Sequence, residues 1–148
     1  MTKGIESTDT IVVQRFFPIA RERVFAAWLD PIALAKFMRP RADATATAEV
    51  DGHVGGRFLI VMRHSGKAVE HSGTYLEIDP PKRLSFTWKS VNTDSLDTVV
   101  MIEFLESGQG TDLVLTHRRL PIARIDSHRE GWTTIILELE RLLSAQAD

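Results

Sequence analysis

The chain has no cysteine among its 148 residues. Disulfides and thiolate-bound zinc are therefore excluded, and the composition fits a reducing cytoplasm. Positive charge is not in excess either, since 18 Lys and Arg stand against 20 Asp and Glu. A chain without a basic surplus lacks the general signature of binding to nucleic acid or to anionic lipid. The sequence therefore predicts neither nucleic acid nor membrane as a partner.

Long apolar runs are also missing. No stretch approaches the ~18 apolar residues of a membrane-spanning helix, and the opening "MTKGIESTDT" lacks the apolar core of a signal peptide. We therefore expect a cytoplasmic protein. Residues 1–9 are polar and are expected to form a flexible tail, and the length of the chain predicts that residues 10–146 form a single domain.

The first part of the chain predicts a strand followed by two short helices. Residues 10–19 are rich in β-branched and aromatic side chains and end near a proline. In the next segment Val24, Phe25 and Trp28 recur at helical spacing. Pro31 ends this helix and opens a second one over residues 31–38, since proline is favoured at the first helical position.

From residue 44 the apolar pattern changes to a period of two. Turn residues divide this region into six predicted strands, over residues 44–50, 57–64, 68–78, 83–89, 96–106 and 111–119. Consecutive strands with short turns predict an antiparallel meander. A last helix, running to about Ala145, carries one broad apolar stripe that must be buried against the sheet. The fold class is therefore α+β, with helices on one face of the sheet.

Strict alternation predicts the side chains that face the interior. They are Phe58, Ile60, Met62 and His64, then Leu84, Phe86 and Trp88, then Thr111, Leu113, Leu115 and His117. The facing set on the second strand is Ala44, Ala46 and Ala48, which fill little volume. Because close-packed interiors tolerate few voids, these alanines permit either a close approach of the helix or space for a ligand or water.

The stretch "HREGW", residues 128–132, lies where the apolar stripe of the last helix begins. Gly131 costs a helix roughly 1 kcal/mol relative to alanine, although it precedes the bulky Trp132. This end of the helix either lines a cavity or packs closely on the sheet, and we expect an added methyl group at Gly131 to clash with a strand or a ligand that comes close. Ser127 and Glu130 have the spacing of a capping box, although a start nearer Ile122 is also compatible with the pattern.

Several stretches resemble a known family. They are "VFAAWLDP" (24–31), "DGHVGGRF" (51–58), "GTYLEIDPPKRLSFTW" (73–88), "GQGTDLVLTH" (108–117) and "GWTTIILELERLL" (131–143). Together, and in this order along the chain, these stretches resemble the sequences of the START-like superfamily (the SRPBCC or birch-pollen-allergen-like helix-grip fold). Within it, the chain most resembles the family named after the C-terminal domain of the activator of the heat-shock-protein-90 ATPase.

The resemblance implies a strongly curved, seven-stranded antiparallel sheet wrapped around the C-terminal helix, with a cavity between them. It also implies two short helices between the first two strands. Many prokaryotic members are assumed to bind small apolar molecules. The chain departs from the family at Phe37, where relatives often carry tryptophan, so a differently shaped cavity mouth is expected.

Signatures of catalysis and of metal binding are weak. The five histidines form no H-x-x-x-H pair, and no carboxylate stands at a supporting spacing. There is no G-x-S-x-G motif and no P-loop. We therefore predict no metal, no cofactor and no catalytic residue.

The leading hypothesis is a non-catalytic module that binds a small hydrophobic or amphipathic molecule, because such pockets need only a few convergent polar groups. The ligand-binding residues that this hypothesis predicts are Trp28, Phe37, Met62, Tyr75, Phe86, Trp88, His117, His128, Gly131 and Trp132. One alternative is a cyclase or hydrolase with His117 or His128 as acid or base. The other is an interaction protein acting on a chaperone, whose activating relatives carry an additional N-terminal domain. A homodimer is also expected, because alternation places Val99, Met101 and Leu105, extended by Leu59 and Val61, on the outward face.

Overall fold

A computed structural model of the chain describes residues 9–146, so the predicted flexible tail lies outside the described residues except for Asp9. The strands are β1 (Ile11–Phe17), β2 (Thr45–Val50), β3 (Arg57–His64), β4 (Lys67–Asp79), β5 (Arg83–Trp88), β6 (Thr98–Ser107) and β7 (Gly110–Arg118). The helices are α1 (Arg21–Ala27), α2 (Pro31–Phe37) and α3 (Ile125–Ala145).

The seven strands form one antiparallel sheet in the order β1-β7-β6-β5-β4-β3-β2. The predicted meander is confirmed for β2 to β7, because each of these strands pairs with the next one along the chain. The first strand returns to the far edge and pairs with β7, with Ile11 opposite His117. The sheet curls around α3, and α1 and α2 connect β1 to β2 as predicted.

The inward faces of the strands agree with the alternation in the sequence. All the predicted inward residues on β5 and β7 are buried, and so are Phe58, Ile60 and Met62 on β3. Ala46 and Ala48 pack against the core from β2. The apolar stripe of α3 is buried over Trp132, Ile135, Ile136, Leu139 and Leu143, while Leu142 is half-buried.

The start of α3 differs from the predicted capping box. A single 3₁₀ turn over Ile122–Arg124 leads directly into α3, so Ser127 lies inside the first turn rather than at the N-cap. Its Oγ donates a hydrogen bond to the carbonyl of Arg124 at 3.2 Å. The box does not form because the helix begins before the residue that would cap it.

A tight turn fixes the end of the β3–β4 hairpin. Ser65 and Gly66 both have positive φ, 52° and 76°, and this pair of conformations suits the right-handed twist of the two strands. The turn sets His64 opposite Lys67. Both residues are thereby held at the end of the hairpin that approaches the beginning of α3.

Candidate functional site

A cavity of about 380 Å³ lies between the first half of α3 and the sheet. Its walls come from α3, from the β3–β4 hairpin, from the end of β5 and from the loop between α2 and β2. The apolar lining residues are Met62, Val69, Trp88, Trp132 and Ile135. Trp88 and Trp132 pack together with ring centroids 5.1 Å apart. The volume is in the lower part of the range of small-molecule sites, about 300–1,000 Å³.

Five of the predicted ligand-binding residues line this cavity, namely Met62, Trp88, His128, Gly131 and Trp132. Gly131 borders it without being crowded. A Cβ atom at this position would meet only Pro40 Cβ, at 3.7 Å, which is an ordinary van der Waals contact. The expected clash of a methyl group with the protein is therefore wrong. The glycine leaves space toward the cavity, and no strand passes close to it.

His117 is not a cavity-lining residue but the centre of a buried hydrogen-bond chain. Trp132 donates its indole N–H to His117 Nδ1 at 2.9 Å, and Thr98 Oγ1 lies 2.7 Å from His117 Nε2. Thr98 Oγ1 in turn donates to the carbonyl of Trp88 at 2.6 Å. Since the indole can only donate, Nδ1 must accept, and the neutral ring carries its proton on Nε2.

The electrostatics agree with a neutral His117. Burial, followed by the nearby His128, lowers the pKa of His117 to about 3. A proton on Nδ1 would also remove the acceptor that Trp132 uses. A buried imidazole with both nitrogens engaged is poorly suited to general acid–base work, which needs a free nitrogen within reach of a substrate.

His128 has a different environment. Its ring lies perpendicular to that of His117, with centroids 5.3 Å apart, and it is half-buried in the cavity wall. Nδ1 lies 2.8 Å from the carbonyl of Arg124. Because a carbonyl can only accept, Nδ1 carries the proton and Nε2 is left as an acceptor. Burial is the main cause that lowers the pKa of His128 from its ordinary value.

His71 is a cavity residue that sequence analysis missed. It is buried, its ring packs on Trp88 with centroids 4.9 Å apart, and it lines the cavity. Its buried Nδ1 finds no hydrogen-bond partner within residues 9–146, and burial lowers its pKa to about 4. A signal was present in the sequence, because His71 shares the period-two inward face of β4 with Tyr75.

The remaining predicted site residues lie deeper. Trp28, Tyr75 and Phe86 line a second space of about 10 Å³, together with Trp88, which is close to the minimum volume that one water molecule needs. Burial raises the pKa of Tyr75 to about 12. Phe37 is fully buried and packs edge-on against Trp28, with centroids 5.0 Å apart. These residues support the wall behind the main cavity, and ligand binding by them stays a prediction.

The rim of the cavity is polar, and sequence analysis missed this too. His64 Nε2 lies 3.1 Å from Arg41 Nε and 3.0 Å from Asp43 Oδ2. The hydrogen bond to His64 is the main cause that lowers the pKa of Asp43. Arg63 lies next to His64 at the end of β3, and its exposed side chain turns to Thr47 on the outer face of the sheet.

Within residues 9–146 no cluster of three His, Cys, Asp or Glu side chains is placed to hold a metal ion. None of the helices in that range is both long and apolar enough to cross a membrane.

The curled seven-stranded sheet around a long C-terminal helix is the helix-grip arrangement of the START-like class. Within this class, the sequence model of the family described as Activator of Hsp90 ATPase homolog 1-like protein matches residues 18–144. The chain therefore belongs to that family, as the resemblance implied. No curated protein gives a significant match to the chain.

Solved structures of bacterial proteins share the fold. A protein of Chromobacterium violaceum is 28% identical, with a TM-score of 0.82 over 90% of this chain and 96% of its own. A protein of Nitrosomonas europaea is 24% identical, with a TM-score of 0.82 over 95% and 97% of the two chains. An AHSA1-like protein of Aeromonas hydrophila is 25% identical, with a TM-score of 0.77 over 93% and 94%.

Proposed function

We propose that this protein binds a small amphipathic molecule in the cavity between α3 and the sheet. The observation that carries the proposal is a cavity of about 380 Å³ whose lining includes two tryptophans and three histidines. Apolar walls with a few convergent polar groups are typical of small-molecule sites. Met62, Trp88 and Trp132 would contact the apolar body of the ligand, and His128 would orient a polar group through Nε2.

A plug in the cavity provides the test. N-phenyl-1-naphthylamine, a neutral dye that fluoresces in apolar sites, should bind the native protein saturably. Gly131→Leu should abolish this binding, because the leucine side chain would extend into the cavity that Gly131 borders. Thr133→Leu places the same side chain on the exposed face of α3 and should bind the dye normally. Equal dye binding by all three proteins would overturn the proposal.

A second candidate is an enzyme that uses His128 as a base. The observation in its favour is the free acceptor nitrogen that the Arg124 carbonyl leaves on this ring. Native mass spectrometry of freshly purified protein separates the two functions. A small molecule that copurifies unchanged supports binding alone. Conversion of that molecule by the protein, lost in His128→Asn, would support the enzyme.

A further inference from the structure

The charged residues that line the cavity are all basic. Four basic side chains line it, from Arg41, Arg63, Lys67 and Arg124, and none of the described lining residues is Asp or Glu. The whole chain has 18 basic and 20 acidic residues, so this distribution is not the average of the surface. The cations also come from three separate parts of the fold: the α2–β2 loop, the β3–β4 hairpin and the start of α3.

Two of these cations are balanced by carboxylates just outside the cavity. Arg124 Nη2 lies 3.0 Å from Asp94 Oδ1, and Arg41 Nε lies 3.6 Å from Asp43 Oδ1. Asp43 also approaches His64, at 3.0 Å. These pairs hold Arg41 and Arg124 in place but reduce the positive charge that either one offers to a ligand.

Lys67 has no such partner. Among residues 9–146 it forms no ion pair, and its side chain is exposed at the end of the β3–β4 hairpin. Arg63 does not serve in the same way, because its guanidinium donates a hydrogen bond to Thr47 Oγ1, at 3.4 Å, on the outer face of the sheet. The lining of the cavity therefore combines apolar residues with a net positive charge.

From this arrangement we infer that the ligand is an anionic amphiphile, a compact apolar body with one carboxylate, sulfonate or phosphate group. The apolar body would lie against Trp88 and Trp132, and the anionic group would meet Lys67 at the rim. Arginine and lysine both bind such oxyanions, arginine in a two-pronged geometry. This inference rests on the proposed function and adds the chemical class of the ligand.

Two dyes of nearly the same shape provide the test. 8-Anilino-1-naphthalene sulfonate carries an anionic group that N-phenyl-1-naphthylamine lacks. In the variant Lys67→Gln, the dissociation constant of the sulfonate should rise about threefold or more, as the loss of one exposed charge contact implies. That of the neutral dye should change by less than about twofold. A higher salt concentration should weaken binding of the sulfonate dye but not binding of the neutral dye.

The control is Arg57→Gln, which removes the same charge from the opposite end of β3, away from the cavity. It should leave both dissociation constants unchanged. If Lys67→Gln binds both dyes as the native protein does, the inference fails while the proposed function stands. Equal weakening of both dyes would also overturn it, since Lys67 would then act by shape rather than charge. If native protein binds neither dye, the proposed function itself fails.

Discussion

Trp132 on α3 donates its indole N–H to Nδ1 of His117 on β7 at 2.9 Å, and both side chains are buried. Through this bond the C-terminal helix is joined to β7, the strand next to the β1 edge of the sheet. The series of hydrogen bonds continues from His117 to Thr98 on β6 and from Thr98 to the carbonyl of Trp88 on β5. Each donor of this hydrogen-bond chain has an acceptor, so its side chains are satisfied in one arrangement only.

Thr98→Val should destabilise the protein by about 1–3 kcal/mol, because a buried donor on His117 would lose its partner. Urea denaturation measures the change in the free energy of unfolding. Thr116→Val is the matched control, since Thr116 is half-buried on the outer face of the sheet, and it should change stability by less than about 0.5 kcal/mol. If the two variants changed the free energy of unfolding equally, the hydrogen bonds through Thr98 would not have this stabilising role.

The buried histidines should make the protein sensitive to mild acid. Burial holds the pKa of His71 at about 4 and that of His117 at about 3, whereas both take up a proton near pH 6.5 once unfolded. The unfolded state then binds more protons, so stability falls as the pH decreases below about 6.5. Between pH 6.5 and 5 each histidine should account for a loss of about 1.5 kcal/mol.

A variant of His71 isolates one of these contributions. His71→Phe keeps an aromatic ring against Trp88 but cannot titrate. Urea denaturation at pH 6.5 and at pH 5 should show a loss smaller by about 1.5 kcal/mol than in the native protein. If His71→Phe lost as much unfolding free energy between pH 6.5 and pH 5 as the native protein, His71 would not be held neutral by its surroundings.

The strands, the helices and the inward faces could be predicted from the sequence because each depends on local periodicity. The apolar wall residues followed from the same alternation. The hydrogen bond from Trp132 to His117 could not be predicted, since it joins residues whose relative position depends on how far the sheet curls. The cationic rim was missed for a related reason. Arg41, Lys67 and Arg124 are far apart in the sequence, and only the folded structure brings them to one cavity.

Gly73 should be intolerant of substitution. A Cβ atom there would overlap the carbonyl oxygen of Thr87 and lie 2.5 Å from the ring of Phe58. Gly73→Ala should therefore destabilise the protein by about 1–3 kcal/mol or more. Gly52→Ala is the control, because its Cβ would meet only Val50 Cγ1 at 3.8 Å. A thermal melt that shows equal stability for the two variants would contradict this account of β4.

A homodimer through the outer face of the sheet stays a prediction. Leu105 is exposed on that face, while Val99 and Met101 are half-buried. The strand order puts β4 and β5 between these residues and Leu59 on β3, so the apolar surface is divided by Thr87 and Ser72. Light scattering at micromolar concentration should give the mass of a dimer, and Leu105→Glu should give that of a monomer. A monomeric mass for the native protein would contradict the prediction.

Gly131→Ala should stabilise the protein by up to about 1 kcal/mol, because alanine is the better helix former and the added methyl group meets only Pro40 at 3.7 Å. In a chain of this length the melting temperature should rise by about 2–4 °C. Gly131→Ser, with an intermediate helix propensity, should gain about half as much. A lower melting temperature for Gly131→Ala would mean that something other than Pro40 comes close to the helix at this point. In protein purified with a bound molecule, that neighbour would be the ligand. Removing the ligand by denaturation and refolding should then restore the higher melting temperature of Gly131→Ala.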